Sequence, residues 1–541
     1  MPSARHFNPI QVEVWRNLLS AITEEMGATL ERTAYSPNIK ERLDHSCALF
    51  SAEGQLLAQA AHIPVHLGAM PSMMEALHPA VKWEQGDMWL CNDPRVGGTH
   101  LPDLTLIAPV YLTPKQLPTL KRRTLIGYVA SRAHHADIGG LSPGSLPLST
   151  EIYHEGLVIS PIRLMEKGQL RTEIQNLVCA NSRTPNERRG DLAAQISANE
   201  TGIRRLQALV IQQSWQVFKL RTAENIAYAT EIVRKTLANL PAGTASATDY
   251  LDDDGNSPTS IPIRVTVEIT EEGEITFDFT GSAVQVHGAL NATEAITRSA
   301  CYYVVRCLIE EDIPTNAGCN APVNVIMPEG TVVNARFPAA VAAGNVETSQ
   351  RIVDTLLKAL APFAPDRVPA ASQGTMNNVL IGGWDSIRQR PFAYYETLAG
   401  GIGASPKGDG ASAMHSHCTN TRNTPIEALE THYPLRVREY RVADDTGGKG
   451  LYRGGNGLIR TIELLSEAHV SLITERRKFP PYGLQGGEEG GKGENRRQLS
   501  GAEIEELPGK YSAPCPAGAT FTVQTPGGGG WGTPKPTPQT E

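Results

Sequence analysis

Three features of the 541-residue sequence predict an α+β fold, a multi-part chain with mixed and antiparallel sheets around helices. Apolar residues near the N-terminus recur at helical spacing: Val12, Leu18, Leu19, Ile22, Met26 and Leu30. Strand-like runs come in pairs around turn residues. From about Tyr433 short strands alternate with glycine-rich turns, which predicts a β-rich C-terminal region. The chain is accordingly divided into an N-terminal region (1–240), a central α+β region (241–432), the β-rich region (433–532) and a disordered Pro/Thr tail (533–541).

Pro9 opens the first helix, which runs to about Thr33. Ser46 to Phe50 and Gln55 to Ala58 flank Ala52-Glu53-Gly54 as a hairpin, and Asp44, just before it, reads on its own as a turn or cap residue. His62 and His66 precede a helix expected from Pro71 and fit structural or ligand roles equally. Leu104 to Tyr111 and Thr124 to Ala133 read as strands of a long antiparallel hairpin, separated by the loop LTPKQLPTLKRR. A short strand is expected at Gly156 to Ile159. Asp191 is an N-cap candidate for a helix reaching toward Leu220, and Arg188, Arg189 and Asp191 near its start are suited to binding an anion or, more simply, to pairing with each other. IPIRVTVEIT and EITFDFTGS predict a second hairpin, and ATEAITRSACYYVVRCLIEED a buried helix. The stretch LAGGIGASPKGDG (398–410) lacks the GK[ST] ending of a P-loop and reads as a flexible or tightly turning active-site loop or, equally, as a purely structural one. Arg453, Arg460, Arg476 and Arg477 are candidates for anion or interface contacts, with surface salt bridges the plainer alternative.

The chemistry concentrates on the central hairpin. Its topology brings His100-x-x-Asp103, before the first strand, beside His134-His135-x-Asp137, at the end of the second. Imidazole nitrogens and carboxylate oxygens converging at one point form a ligand set for Zn²⁺ or Mn²⁺ that can leave a position open to water. Such residues at strand ends are also common turn formers. Gly97-Gly98 and Gly139-Gly140 allow close backbone approach beside both clusters. His415-Ser416-His417 would place two imidazoles on one face if the segment were a strand.

Composition sets limits on function. A net charge of −8 gives no reason to expect nucleic acid, and the basic patch Lys121 to Arg123 is too short to alter that. Eight cysteines without a CxxC pair fit a reducing compartment. The opening MPSARHFNPIQVEVW lacks the pattern of a signal peptide, and no run of about 18 apolar residues suggests a membrane span, so a cytoplasmic location is expected.

Taken together, ERLDHSCALF, AHIPVHLGAM, NDPRVGGTHLPD, SRAHHADIGG, PGSLP, NSRTPNERRGD, AGNVETSQR, YPLRVREYR, RGGNGLIR and TPGGGGWG resemble the hydantoinase B/5-oxoprolinase B-subunit family, from about Pro9 to Gly532. The resemblance also extends to N-methylhydantoinases, caprolactamase and the acetone and acetophenone carboxylases. It implies a two-component, ATP-dependent amidohydrolase. In it an A-type subunit of actin-like fold handles ATP and Mg²⁺, phosphorylating the oxygen of a small cyclic amide or ketone, while the B-type chain performs a metal-dependent step. The metal ligands it implies are Asp44, His100, Asp103 and His134, for Zn²⁺, Mn²⁺ or Fe²⁺; His135 or Asp137 would then orient water or shuttle its proton. The expected reaction is 5-oxo-L-proline to L-glutamate in a hetero-oligomer. Hydantoin opening, ketone carboxylation and a non-catalytic stabilising role are the alternatives, and the presence of all four ligand residues argues against the last. The inter-strand loop with KQLPTLKRR is longer than the family's usual turn and is expected to alter surface contacts rather than ligands.

Overall fold

The computed structural model describes residues 7–60 and 62–535, so the expected tail lies outside the described residues from 536 onward. Helix α1 (Pro9–Thr33) starts where Asn8 accepts the Gln11 N–H at 3.2 Å, a cap worth about 1 kcal/mol, with Pro9 in the first turn. After a single turn, α2 (Pro37–Lys40), the chain enters β1 (His45–Phe50) and β2 (Leu56–Gln59). Helix α3 (His66–Ala80) begins before the expected start at Pro71, which lies inside it. Strands β3 (Met88–Cys91), β4 (Asp103–Leu112), β5 (Thr124–His134), β6 (Ile162–Glu166) and β7 (Gln169–Leu170) complete a seven-stranded sheet of order β2-β1-β5-β4-β3-β6-β7. The strand expected at Gly156 to Ile159 is not formed. That segment makes isolated backbone bonds, Leu157 N–H to Ile138 O and Asn92 N–H to Ile159 O, and the ladder starts after Pro161.

The β4–β5 hairpin is buried on both faces, and alternation decides which neighbour each side chain meets. Leu104, Leu106, Val129 and Ala133 pack with Leu19, Met26 and Leu30 of α1. Ile107, Tyr128 and Ala130 pack with Met70, Met73 and Met74 of α3.

Helix α4 (Thr172–Ala180) leads to α5 (Pro185–Gln213) and α6 (Trp215–Ala238), two helices broken at Ser214 rather than one reaching Leu220. Asp191 is not the N-cap, because α5 starts at Pro185. It sits within the helix, pairs with Arg188 at 2.9 Å as expected, and accepts the backbone N–H groups of Tyr35 and Ser36, tying α5 to the end of α1.

Strands β8 (Gly243–Leu251), β9 (Ile261–Ile269) and β10 (Ile275–Asp278) follow, with the second predicted hairpin at β9–β10. Helices α7 (Glu294–Cys307) and α8 (Ala317–Asn320) and strand β11 (Val323–Ile326) complete a sheet of order β11-β10-β9-β8. A π-helical turn at Gly344–Thr348 runs into α9 (Ser349–Leu360).

Beyond it lie β12 (Asn378–Asp385), β13 (Arg390–Thr397), α10 (Ile426–His432), β14 (Leu435–Val442), β15 (Leu458–Leu464), β16 (Ala468–Ile473), β17 (Glu494–Gln498), β18 (Ile504–Leu507), β19 (Lys510–Cys515) and β20 (Thr520–Gln524). They form sheets β13-β12-β16-β19 and β14-β15-β20-β17-β18. The glycine-rich segments between them lie side by side, with Gly448 N–H on Gly528 O, Gly528 N–H on Gly455 O and Gly455 N–H on Ile402 O, all at 2.8 to 2.9 Å. The 398–410 stretch belongs to this backbone-to-backbone packing.

Candidate metal centre

In the β4–β5 ladder Asp103 is directly paired with His134, and His100 lies three residues before Asp103 in the turn that enters β4. Three ligand atoms form a triangle: His100 Nε2 to His134 Nδ1 is 3.1 Å, His100 Nε2 to Asp103 Oδ1 is 3.3 Å, and His134 Nδ1 to Asp103 Oδ1 is 3.4 Å. Donors about 2.0 to 2.2 Å from a shared tetrahedral ion are separated by roughly 3.3 to 3.6 Å, so this triangle fits a divalent metal. The three side chains are at most 2 % exposed.

The surroundings fix each donor. Asp103 Oδ2 accepts the Thr99 hydroxyl at 2.6 Å and stands 3.3 Å from His66 Nε2, while His66 Nδ1 meets Ser46 Oγ at 2.8 Å. One carboxylate oxygen is therefore held by protein and the other is directed to the triangle. Tyr395 stacks on the His134 ring at 4.9 Å and donates its hydroxyl to Asn378. Burial would raise the Asp103 pKa, but the charge and hydrogen bond of His100, with hydrogen bonds from His134 and His66, hold it well below the usual carboxylate range. Burial alone would lower His100, yet the neighbouring Asp103 charge raises it; His134 is lowered by its burial.

Asp44 lines the same cavity, and its backbone carbonyl accepts the His134 N–H at 3.0 Å. Its carboxylate stands outside the tight triangle. Leu43 just before it takes φ of 58°, a conformation costly for a bulky residue and often found at functional sites. Ile63, Val65, Val346, Met376 and Thr397 are among the other walls. The free space beside the triangle is small, about 20 Å³.

His135 and Asp137, expected to act on water, are placed elsewhere. His135 follows β5 on the opposite face, with Nε2 3.0 Å from Gln195 Oε1 of α5, and burial lowers its pKa to about 4. Asp137 accepts the N–H groups of Gly139, Gly144 and Arg183 and the Arg183 guanidinium, and so holds a loop together. The 415–417 segment is not a strand: His417 meets Asp354 at 3.1 Å and His415 is elsewhere, its pKa pushed down to about 4 by burial. His62 lies against His45 with the two rings tilted and their centres 4.7 Å apart. Two of the four arginines singled out are internal, Arg460 paired with Glu396 and Arg476 with Asp249 and Asp354; Arg477 is half-buried and bonded to Asn377 and Asn495, and Arg453 remains exposed beside Asp445.

Asn345 has no role that the sequence alone assigns. The π-helical turn sets its Nδ2 3.3 Å from His100 Nε2 and leaves its buried Oδ1 without a partner. The glycine just before it is the available signal, since a Cβ on Gly344 would lie 1.9 Å from Asn291 O.

The sequence matches the family described as Hydantoinase B/oxoprolinase over residues 8–534. It is 41 % identical over 531 residues to a protein of Methanocaldococcus jannaschii described only as uncharacterized, covering 97 % of this chain and 91 % of that one. It is 38 % identical over 552 residues to 5-oxoprolinase 1 of Arabidopsis thaliana, covering 97 % of this chain but 42 % of that protein. The chain thus spans less than half of that relative's length. Among solved structures, the ATP-dependent caprolactamase from Pseudomonas jessenii superposes with a TM-score of 0.89 at 28 % identity, over 98 % of this chain and 92 % of that one.

Proposed function

The chain belongs to the hydantoinase B/oxoprolinase family, and from that membership we propose that it is the B-type subunit of a two-component, ATP-dependent cyclic-amide hydrolase that converts 5-oxo-L-proline to L-glutamate. The observation that carries this reading is the buried triangle of His100, Asp103 and His134 lining a small cavity. The 38 % identity to a 5-oxoprolinase supports the choice of ring. That relative is more than twice as long, which supports ATP being handled outside these residues, by an A-type subunit of actin-like fold.

His100, Asp103 and His134 would hold a divalent ion, Zn²⁺, Mn²⁺ or Fe²⁺, with Asp44 as a further donor. When bound, such an ion supplies Lewis acidity, which makes water nucleophilic near neutral pH. The side chains do the positioning. Thr99 and His66 fix the Asp103 carboxylate, Tyr395 fixes the His134 ring, and Asn345 presents an amide at the edge of the triangle. The apolar walls Ile63, Val65, Val346 and Met376 keep bulk water away. A lactam is a stabilised amide, and phosphorylation of its oxygen makes the ring carbon electrophilic. Water adds there, the C–N bond breaks as the amine takes up a proton, and the acyl phosphate so formed is hydrolysed by a second water to the carboxylate and phosphate.

Eight cysteines, all unpaired, support work in the reducing cytoplasm. No helix among the described residues is long and apolar enough to cross a membrane. The test is ATP-dependent glutamate release from 5-oxo-L-proline by this chain mixed with an A-type subunit, with metal analysis of the same preparation. Release that requires both chains and vanishes in His100→Ala is expected; release by the A-type subunit alone overturns the reading.

A further inference from the structure

Six arginines are among the largest fully buried side chains: Arg42, Arg132, Arg188, Arg351, Arg460 and Arg476. Four stand against carboxylates: Arg188 on Asp191, Arg351 on Asp249 and Glu475, Arg460 on Glu396, and Arg476 on Asp249 and Asp354. Among the described residues, Arg42 and Arg132 have no carboxylate within 4.0 Å. Arg132 donates to Thr105 and to backbone oxygens beside α3. Arg42 stands directly behind the wall of the metal cavity. Its guanidinium lies 4.7 Å from the centre of the Tyr395 ring, and Tyr395 lines the cavity.

The hydrogen bonds of Arg42 have a direction. Nη1 donates to Asn38 Oδ1 and to the Tyr395 carbonyl, and Nη2 donates to Thr397 Oγ1 at 3.1 Å. A guanidinium can only donate, so the Thr397 oxygen accepts and its proton is free for Thr421 Oγ1, 3.0 Å away. The Thr421 proton is then free in turn, with Thr419 Oγ1 3.4 Å distant. Thr397, Thr419 and Thr421 all line the cavity. A fixed positive charge thus sits behind a relay of hydroxyls that, run outward from Arg42, leaves the Thr419 O–H as its free donor to the space beside the metal triangle, and each bond polarises the next. The charge is also left over: Asp44 and Asp103, the two carboxylates lining the cavity, together match a divalent ion and leave none for Arg42.

We propose that Thr397, Thr419 and Thr421, backed by Arg42, form the subsite for the carboxylate of the ring, so that the chain selects carboxylated cyclic amides over neutral ones. This rests on the ring-opening reading above and assigns the residues that recognise the substrate's charge.

The test measures binding and turnover separately. Binding of 5-oxo-L-proline and of 2-pyrrolidinone, the same ring without the carboxylate, is titrated into the full metal-loaded chain by calorimetry. The wild type is expected to prefer 5-oxo-L-proline by at least about tenfold, as for hydrogen bonds to a charged group. Arg42→Gln and Thr421→Val are expected to remove most of that preference while leaving 2-pyrrolidinone binding unchanged. Thr421→Val keeps the side-chain shape, so it reports even where Arg42→Gln fails to fold. An equal loss for both rings, a preference surviving in Thr421→Val, or no preference in the wild type overturns the proposal. Glutamate release with the A-type subunit is the separate readout for ring opening: a chain that prefers the carboxylated ring but never releases glutamate keeps the subsite and loses the reaction.

Discussion

Asp103 and His134 are direct partners across the β4–β5 ladder, and Asp103 Oδ1 lies 3.4 Å from His134 Nδ1. Register alone therefore delivers two of the three donors, and the turn before β4 delivers His100. Removing one should empty the site. His100→Ala and His134→Ala are expected to lose bound metal in elemental analysis and at least about a hundredfold in turnover. Thr99→Val, which frees Asp103 Oδ2, is expected to weaken metal binding by about ten- to a hundredfold, the usual range for groups that orient ligands. Full metal content in His134→Ala would show that the triangle is not a metal site.

His135 is adjacent to a donor but faces away from it. Strand alternation sends His134 toward Asp103 and the cavity and His135 toward Gln195 on α5. His135→Gln is expected to keep metal content and turnover near wild type while costing about 1 to 2 kcal/mol in urea denaturation, for the lost contact with Gln195. A hundredfold loss of turnover with unchanged stability would place His135 in the chemistry after all.

Period-two patterning explains how much of the site is legible in the sequence. The paired strands, their common end and the polar residues gathered there all follow from local sequence, and so does α1 with its start at Pro9. The same rule, applied one residue further, separates His135 from His134. Asn345, Tyr395 and Arg42 carry no such pattern. Asn345 and Tyr395 reach the cavity from more than 200 residues beyond β5, placed by a π-helical turn and a different sheet. The His-x-His segment misleads for the converse reason: its spacing suits a strand, but Ala413 and His417 adopt left-handed φ values of 52° and 54° and the chain turns there. Burial of Arg460 and Arg476 is equally hidden, because their carboxylate partners lie on distant strands and helices.

The glycine packing gives a prediction independent of the metal. A Cβ on Gly528 would lie 2.1 Å from Ile402 O and against further backbone, with no flexible side chain to yield. Gly528→Ala is expected to destabilise by roughly 3 kcal/mol or more, within or above the range for overpacking a close contact. Gly408 is the control: a Cβ there would meet nothing within 4 Å, and its φ is not in the left-handed region. Gly408→Ala should fall within about 0.5 kcal/mol of wild type. Equal melting temperatures for the two variants would refute this account of the packing.

Glu347 sets a pH dependence. It is wholly buried in the π-helical turn, where Oε1 accepts the Met376 N–H and the Asn378 amide, and burial pushes its pKa up from 4.5 to about 8. Between those values the folded chain holds a proton that the unfolded chain has released. The contribution of this group is therefore present in full below pH 4.5 and is lost progressively as pH rises through 8, on the order of a few kcal/mol in total. Glutamine resembles the protonated acid and cannot ionise. Glu347→Gln is expected to flatten the decline in urea stability between about pH 5 and 8 and to exceed the wild type just above pH 8, measured on metal-free protein so that metal binding adds no pH dependence of its own. Parallel stability curves for the two proteins across that range would show that Glu347 is already ionised in the folded chain, held by Asn378 and its neighbours rather than by a proton.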